Sequence, residues 1–291
     1  MHVSELSAAY LWQPAAFLQV AGPDAFGFLQ GQFTNDLKLL STQPAVYGLW
    51  LNHKGHVQAD SFVLRGESGI FWAGSYFSPA ATVCERLKSC LVADDVTIED
   101  CTAGSAGLTL LGSTAAAMAE TFGVALCFPG RRAASPSVEL LFSAETRPAV
   151  EAQIAKLNLP QLPAEDMELM RIKAGITAVP QDIGPADLPN EGELEVDAIS
   201  YTKGCYLGQE VMARLKSMGK VRRRLMRVKG TVAPPAVPAT LFYGPKKIGE
   251  LRSAVPDGDG FAGLALLTLL GLERCPGFSL TPEGEAMVLL A

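Results

Sequence analysis

The sequence predicts an α+β body followed by a β-rich tail. Three observations carry that expectation. Strand-like and helix-like runs alternate with short loops from about residue 56 to 157. A segment rich in Pro, Gly and Asp, Ile176 to Gly192, then interrupts the pattern. Past residue 221 only short strand-like pieces remain, separated by clusters such as "VAPPAVP" and "VPDGDG". The chain has 291 residues, 48% hydrophobic and 19% charged. That composition can bury a substantial core.

The elements follow in order. Phe17 to Val20 has β character, and "GPDAFGFLQG" opens a helix with Pro23 and Asp24 in its first turn and Gly31 at its end. "AVYGLWLN" and "HVQADSFVL" read as strands joined by the turn "HKG", and "GIFWAGS" as a third. A helix spans Pro79 to Leu91. "DVTIED" and "AGLTLLG" are strands, Thr114 to Phe122 a helix, "SVELLFS" a strand, and Thr146 to Leu157 a helix. This order predicts two βαβ-type halves against one antiparallel sheet. "LNLPQLPAED" marks a boundary, after which the helix "AEDMELMRIKAG" follows Pro163 and stops at Gly175. The segment from Ile176 to Gly192 is an irregular loop. "VRRRLMRVKG", "ATLFYG", "KKIGELRSA", "GFAGLALL" and "EAMVLLA" then predict a small β-barrel or sandwich.

Charge and cysteine usage exclude several functions. A net charge of −6 argues against nucleic-acid binding, which draws its affinity from neutralising phosphates. No apolar run reaches the length of a membrane span, and the opening "MHVSELSAAYLWQ" lacks the pattern of a secretory leader, so a cytoplasmic protein is expected. The six cysteines are scattered, with no CxxC pair and no metal-ligand spacing, so no metal site is expected. Five of them read as small apolar fillers.

Cys205 is different. It lies in "YTKGCYLGQE", between a Lys-Gly pair and a Gly-Gln-Glu. A cation and a helix N-terminus both favour the reactive thiolate. Lys203 is read as that cation, and a helix over about 207–217 as the second influence. Gly204 and Gly208 permit tight turns. Gln209 and Glu210 are placed to hydrogen-bond a polar heterocycle or the loop itself. The alternative is a turn that packs Cys205 and Tyr206 into the core and leaves Lys203 in solvent. Asn35 and Asp36 in "FTNDL" are expected to cap or brace a turn.

The peptide "KGCYLGQE" resembles the signature of YgfZ-type folate-binding proteins, which are associated with iron–sulfur cluster assembly or repair. These are relatives of the glycine-cleavage T-protein, an aminomethyltransferase. The segments "VAGPDAFGFLQGQFTNDL", "LNHKGHVQADSFV", "MRIKAGI" and "LPNE" extend the resemblance, in order, over nearly the whole chain.

The resemblance implies an aminomethyltransferase-like fold of three domains around a central channel. Residues 1–221 would form two intertwined subdomains carrying the folate site, the second roughly 48–160, and 222–291 a small C-terminal β-barrel. The 176–192 loop would line the channel. Tetrahydrofolate is the implied cofactor, and iron–sulfur enzymes or their assembly factors the implied partners. Glu191 is expected to accept the pterin N–H edge, since a carboxylate takes two donors at once. Arg171, with Arg222 and Arg224 on one strand face, is expected to meet the glutamate tail. Aminomethyltransferases typically carry paired aspartates where this chain has Ala59-Asp60. Asp60 is either the surviving acid at the folate site or, the favoured reading, a strand residue facing solvent. The competing functions are a true aminomethyltransferase and a folate-binding module with a structural cysteine.

Overall fold

A computed structural model describes residues 7–134 and 136–291. The opening residues "MHVSEL", read above for a leader, lie outside the described residues. Three sheets carry the fold, and the strand pairings within them are antiparallel among the described residues. Sheet one has the order β1 (Ala8–Trp12), β7 (Ser105–Leu111), β9 (Ser137–Ser143), β8 (Leu126–Pro129). Sheet two has the order β3 (Ala45–Leu51), β4 (Val57–Arg65), β5 (Phe71–Ser75), β2 (Ala16–Ala21), β6 (Thr97–Asp100).

The expectation of one sheet is therefore corrected to two. The cause is a long-range pairing: β1 bonds β7, while β2, which follows β1 closely, bonds β5 and β6 instead. The chain thus starts in sheet one, builds all of sheet two and returns. Trp12, Phe17, Phe62, Tyr76 and Phe128 form an apolar cluster shared by the two sheets.

Helices seal the outer faces. Helices α1 (Ala25–Gln32) and α2 (Ala80–Lys88) put Phe28, Leu29, Val83 and Leu87 into the core of sheet two. Helices α3 (Ala115–Glu120) and α4 (Arg147–Lys156) do the same for sheet one with Ala119, Val150 and Ile154. Helix α5 (Ala164–Ala174) is the hinge-pin between sheets. Its Met167 packs on Ala8 and Leu111 of sheet one, and its Ile172 on Ala262 and Leu264 of the C-terminal sheet. It ends at Gly175 in the left-handed conformation, φ 70°, where a Cβ would be strained.

Sheet three has the order β11 (Ala239–Tyr243), β12 (Lys246–Asp257), β13 (Gly260–Thr268), β10 (Arg223–Gly230), β14 (Val288–Leu290). Its two edges are drawn together by one dipeptide. Ser279 exchanges backbone hydrogen bonds with Phe242 of β11, and Phe278 with Val288 of β14. The sheet therefore curls into a half-barrel around Val228, Leu241, Leu251, Phe261 and Phe278. An α+β body followed by a curled C-terminal sheet is the architecture predicted, the barrel being half-closed.

The Cys205 peptide is seated where sheet two meets helix α6 (Gln209–Met218). Tyr206 and Met212 enter a core with Leu49, Leu51, Val57, Val179 and Ile183. Gly208 caps α6 at φ 88°, and a Cβ there would stand 2.9 Å from the carbonyl oxygen of Asn52 in the turn between β3 and β4. Gly208→Ala is therefore expected to lower the unfolding free energy by about 1–3 kcal/mol, read by urea denaturation. Unchanged stability would contradict this seating.

Candidate functional site

One ammonium group anchors the Cys205 loop. Lys203 is buried and its Nζ donates to three backbone carbonyls, Gln30 at 2.7 Å, Asn35 at 2.8 Å and Phe33. All three acceptors lie at or just past the end of α1. The ammonium is thus committed to bracing, where the sequence reading had it activating the thiol. Burial pulls its pKa down to about 8, with Asp36 opposing. Two residues on, Cys205 is exposed, while the other five cysteines are partly buried. The packed residue of the pair is Tyr206.

A string of hydrogen bonds runs inward from this anchor. Asn35, whose carbonyl Lys203 holds, donates from Nδ2 to the carbonyls of Tyr47 (2.8 Å) and Asp197 (2.9 Å). Tyr47 Oη donates to Asp60 Oδ2 at 2.9 Å. Ser75 and Ser78 each donate to Asp60 Oδ1 at 2.6 Å. Asp60 is buried, so the favoured solvent-facing reading is corrected: its side chain points into the body, where three hydroxyls satisfy it. Burial raises its pKa above the ordinary value, and the hydroxyl bonds pull it part of the way back. Arg131 closes the set with two bonds to the Asp197 carboxylate and its guanidinium 4.1 Å from the Tyr47 ring. Asp36 caps the turn Leu37–Ser41, as its neighbourhood suggested.

The other expected site residues separate. Glu191 is buried and already occupied. It takes Nε and Nη2 of Arg223 at 2.8 Å each and the Leu188 amide at 3.0 Å, and Arg223 also reaches Asp187. The arginine facing this carboxylate is the one left out of the expected pair, because alternation along β10 turns Arg223 inward. Arg222 and Arg224 are exposed and border, with Lys220, Asn190 and Glu195, a separate pocket of about 870 Å³. Arg171 is buried and spent on Glu168, Asp182, Ser253 and the carbonyl of Ile176. It ties α5 to the 176–192 loop and β12, which leaves no free guanidinium edge for a tail. Gln209 is the half-buried first residue of α6.

A second cavity, about 380 Å³, opens where the three sheets converge. Tyr10 of β1, Phe77 after β5, Arg132, Glu168 and Arg171, Gln181 of the long loop, and Val255 of β12 line it. Ser78, adjacent to Phe77, is one of the donors to Asp60, so the hydrogen-bond string connects this wall to the Cys205 loop. Cys205 itself lines neither cavity. The sequence reading missed Tyr47 and Arg132, and it set Arg223 on the opposite strand face from the expected pair without giving it Glu191 as a partner. The aromatic and acidic partners that define them come from distant segments.

Comparison with known proteins places the fold and the family. Residues 13–125 match the family described as the GCVT N-terminal domain. The human mitochondrial iron–sulfur cluster assembly factor IBA57 is 30% identical over 283 residues, covering 86% of this chain and 74% of that protein. The tRNA-modifying protein YgfZ of Edwardsiella ictaluri is 28% identical over 240 residues, covering 76% of this chain and 69% of that protein. The aminomethyltransferase T of the Bartonella henselae glycine cleavage system superposes with a TM-score of 0.80 at 18% identity, over 100% of this chain and 86% of that one. That last likeness is one of fold.

Two outcomes follow from the geometry. Lys203→Met orphans three carbonyls and is expected to cost at least about 1–3 kcal/mol of stability by chemical denaturation; a variant as stable as the parent would show the loop is held otherwise. Asp60 has a folded-state pKa above its unfolded one, so the folded protein binds the extra proton in between and stability falls as pH rises through that window. The stability of the parent relative to Asp60→Asn is expected to decline as pH rises from about 4. A difference independent of pH would refute the assignment.

Proposed function

This chain belongs to the family of the YgfZ and IBA57 proteins, built on the aminomethyltransferase fold, and on that premise we propose a tetrahydrofolate-binding accessory protein. It serves the assembly or repair of iron–sulfur enzymes through the thiol of Cys205. One observation carries the reading: the cysteine in the "KGCYLGQE" peptide is exposed, on a loop anchored at three points by Lys203. A structural cysteine would be packed; here Tyr206 takes that place. The names of the relatives, an iron–sulfur assembly factor among them, support the same role.

The three-sheet cavity supports the folate reading. Its volume of about 380 Å³ lies within the range of small-molecule pockets, roughly 300–1,000 Å³. Tyr10 and Phe77 offer ring faces, and Arg132 a buried guanidinium Nε that has no hydrogen-bond partner among the described residues. Bound there, the folate would supply one-carbon chemistry; the chain's residues hold and orient its ring. Asp60, with both carboxylate oxygens engaged by hydroxyls, offers no free acid for an aminomethyl transfer of the glycine-cleavage kind.

The iron–sulfur cluster is cargo. Such clusters normally take four protein ligands, and Cys205 supplies one, so any cluster it touches is shared with a client or an assembly factor. The thiol's exposure suits that exchange.

The test joins three measurements. Limited alkylation is expected to modify Cys205 ahead of the other five cysteines. Calorimetric titration is expected to show tetrahydrofolate binding equally to the parent and to Cys205→Ser. Cys205→Ser is expected to lose the parent's ability to rescue a strain defective in iron–sulfur enzymes. Full rescue by Cys205→Ser would remove the thiol from the function, and absence of binding at millimolar tetrahydrofolate would remove the folate.

A further inference from the structure

Three cationic side chains are buried among the described residues: Arg132 (7% exposed), Arg171 (2%) and Lys203 (7%). Two of them are fully employed. Arg171 has four hydrogen-bonding partners and Lys203 three carbonyls. Arg132 is the exception. Its Nε finds no hydrogen-bond partner among the described residues. Its ion-pair partner is Glu139, whose Oε1 stands 3.9 Å away, beyond hydrogen-bond reach, and is itself unpartnered.

The surroundings hold the charge while leaving Nε unpartnered. The guanidinium lies 4.2 Å from the ring centroids of both Trp12 and Tyr76, with Tyr10 at 5.5 Å and Phe77 at 5.6 Å. Aromatic faces attract a cation but accept no strong N–H bond, so these rings leave Nε without a partner. Glu139 is fully buried; its Oε2 accepts from Thr109 Oγ1 at 2.7 Å, while its Oε1 stands 3.9 Å from Arg132 Nε. A buried cation kept this way costs stability unless something completes it. Arg132 lines the three-sheet cavity beside Tyr10 and Phe77, so the completing group can come from there.

We infer that Arg132 is a ligand-binding residue, placed to donate to the carbonyl or anionic oxygen on the edge of a flat ring held against Tyr10 and Phe77. The identity of that ring rests on the folate reading above: a pterin carries such an oxygen on its pyrimidine edge. The glutamate tail is a poorer match. Its carboxylates are strongly hydrated, whereas Arg132 is walled in by four aromatic rings.

The experiment titrates tetrahydrofolate and tetrahydropterin, which lacks the tail, into the parent, Arg132→Met and Arg132→Met/Glu139→Gln. The double variant removes the carboxylate that the single one would strand. Both ligands are expected to weaken by the same factor, about 10- to 100-fold. Unchanged affinity for both, or a loss confined to tetrahydrofolate, overturns the inference. Thermal unfolding of the ligand-free proteins gives an independent readout. A residue that serves a ligand leaves the double variant at least as stable as the parent. A Tm lower by several degrees makes Arg132 a structural brace and overturns the inference. A parent that binds neither ligand removes the folate reading of the cavity, and the unfolding result then decides Arg132 alone.

Discussion

The geometry of the Cys205 loop depends on a single buried ammonium. Lys203 reaches back across more than 160 residues of chain to the end of α1 and takes three carbonyls that no other part of the loop satisfies. Those carbonyls need a donor, since a buried acceptor without one is costly. A glycine follows Lys203, and the thiol comes next. Anchoring on one side and the left-handed Gly208 on the other leave Cys205 outside while Tyr206 turns in. Exposure of the sulfur is thus a consequence of what its neighbours bury.

The same economy organises the interior. No single sheet builds the cavity that receives Tyr10, Phe77, Arg132 and Val255; it exists because α5 wedges between sheet one and the half-barrel. Arg171 secures that wedge by bonding both the long loop and Ser253 of β12. Asp60 and Tyr47 then link the cavity wall to the strand that Asn35 and Lys203 brace. Cavity and thiol are separate in space but share one hydrogen-bonded support.

Local pattern carried much of this. Alternation, Pro and Gly punctuation and the C-terminal stop at Gly175 were legible, because each is decided by a few adjacent residues. Strands β1 and β8 were not read. "AAYLW" and "LCFP" are short, and the second includes a proline, so partners in sheet one rather than propensity make them strands. The division into two sheets was hidden for the same reason. At the site, the special cysteine stood out through its unusual neighbours. The carboxylates and arginines did not sort correctly, because a run such as Arg222–Arg224 states alternation but not which face is inward. Glu191 looked free for a ligand, yet Arg223 already neutralises it. Arg132 carried no local signal, since the four rings around it come from β1 and from the segment after β5.

The central claim is that a folate ring sits at the junction of the three sheets while the thiol stands apart on the surface. A crystal structure grown with tetrahydrofolate tests this most directly. The account predicts density for the ring between Tyr10 and Phe77, with an oxygen edge toward Arg132. Density in the pocket bordered by Arg222 and Arg224, with the junction empty, would contradict it.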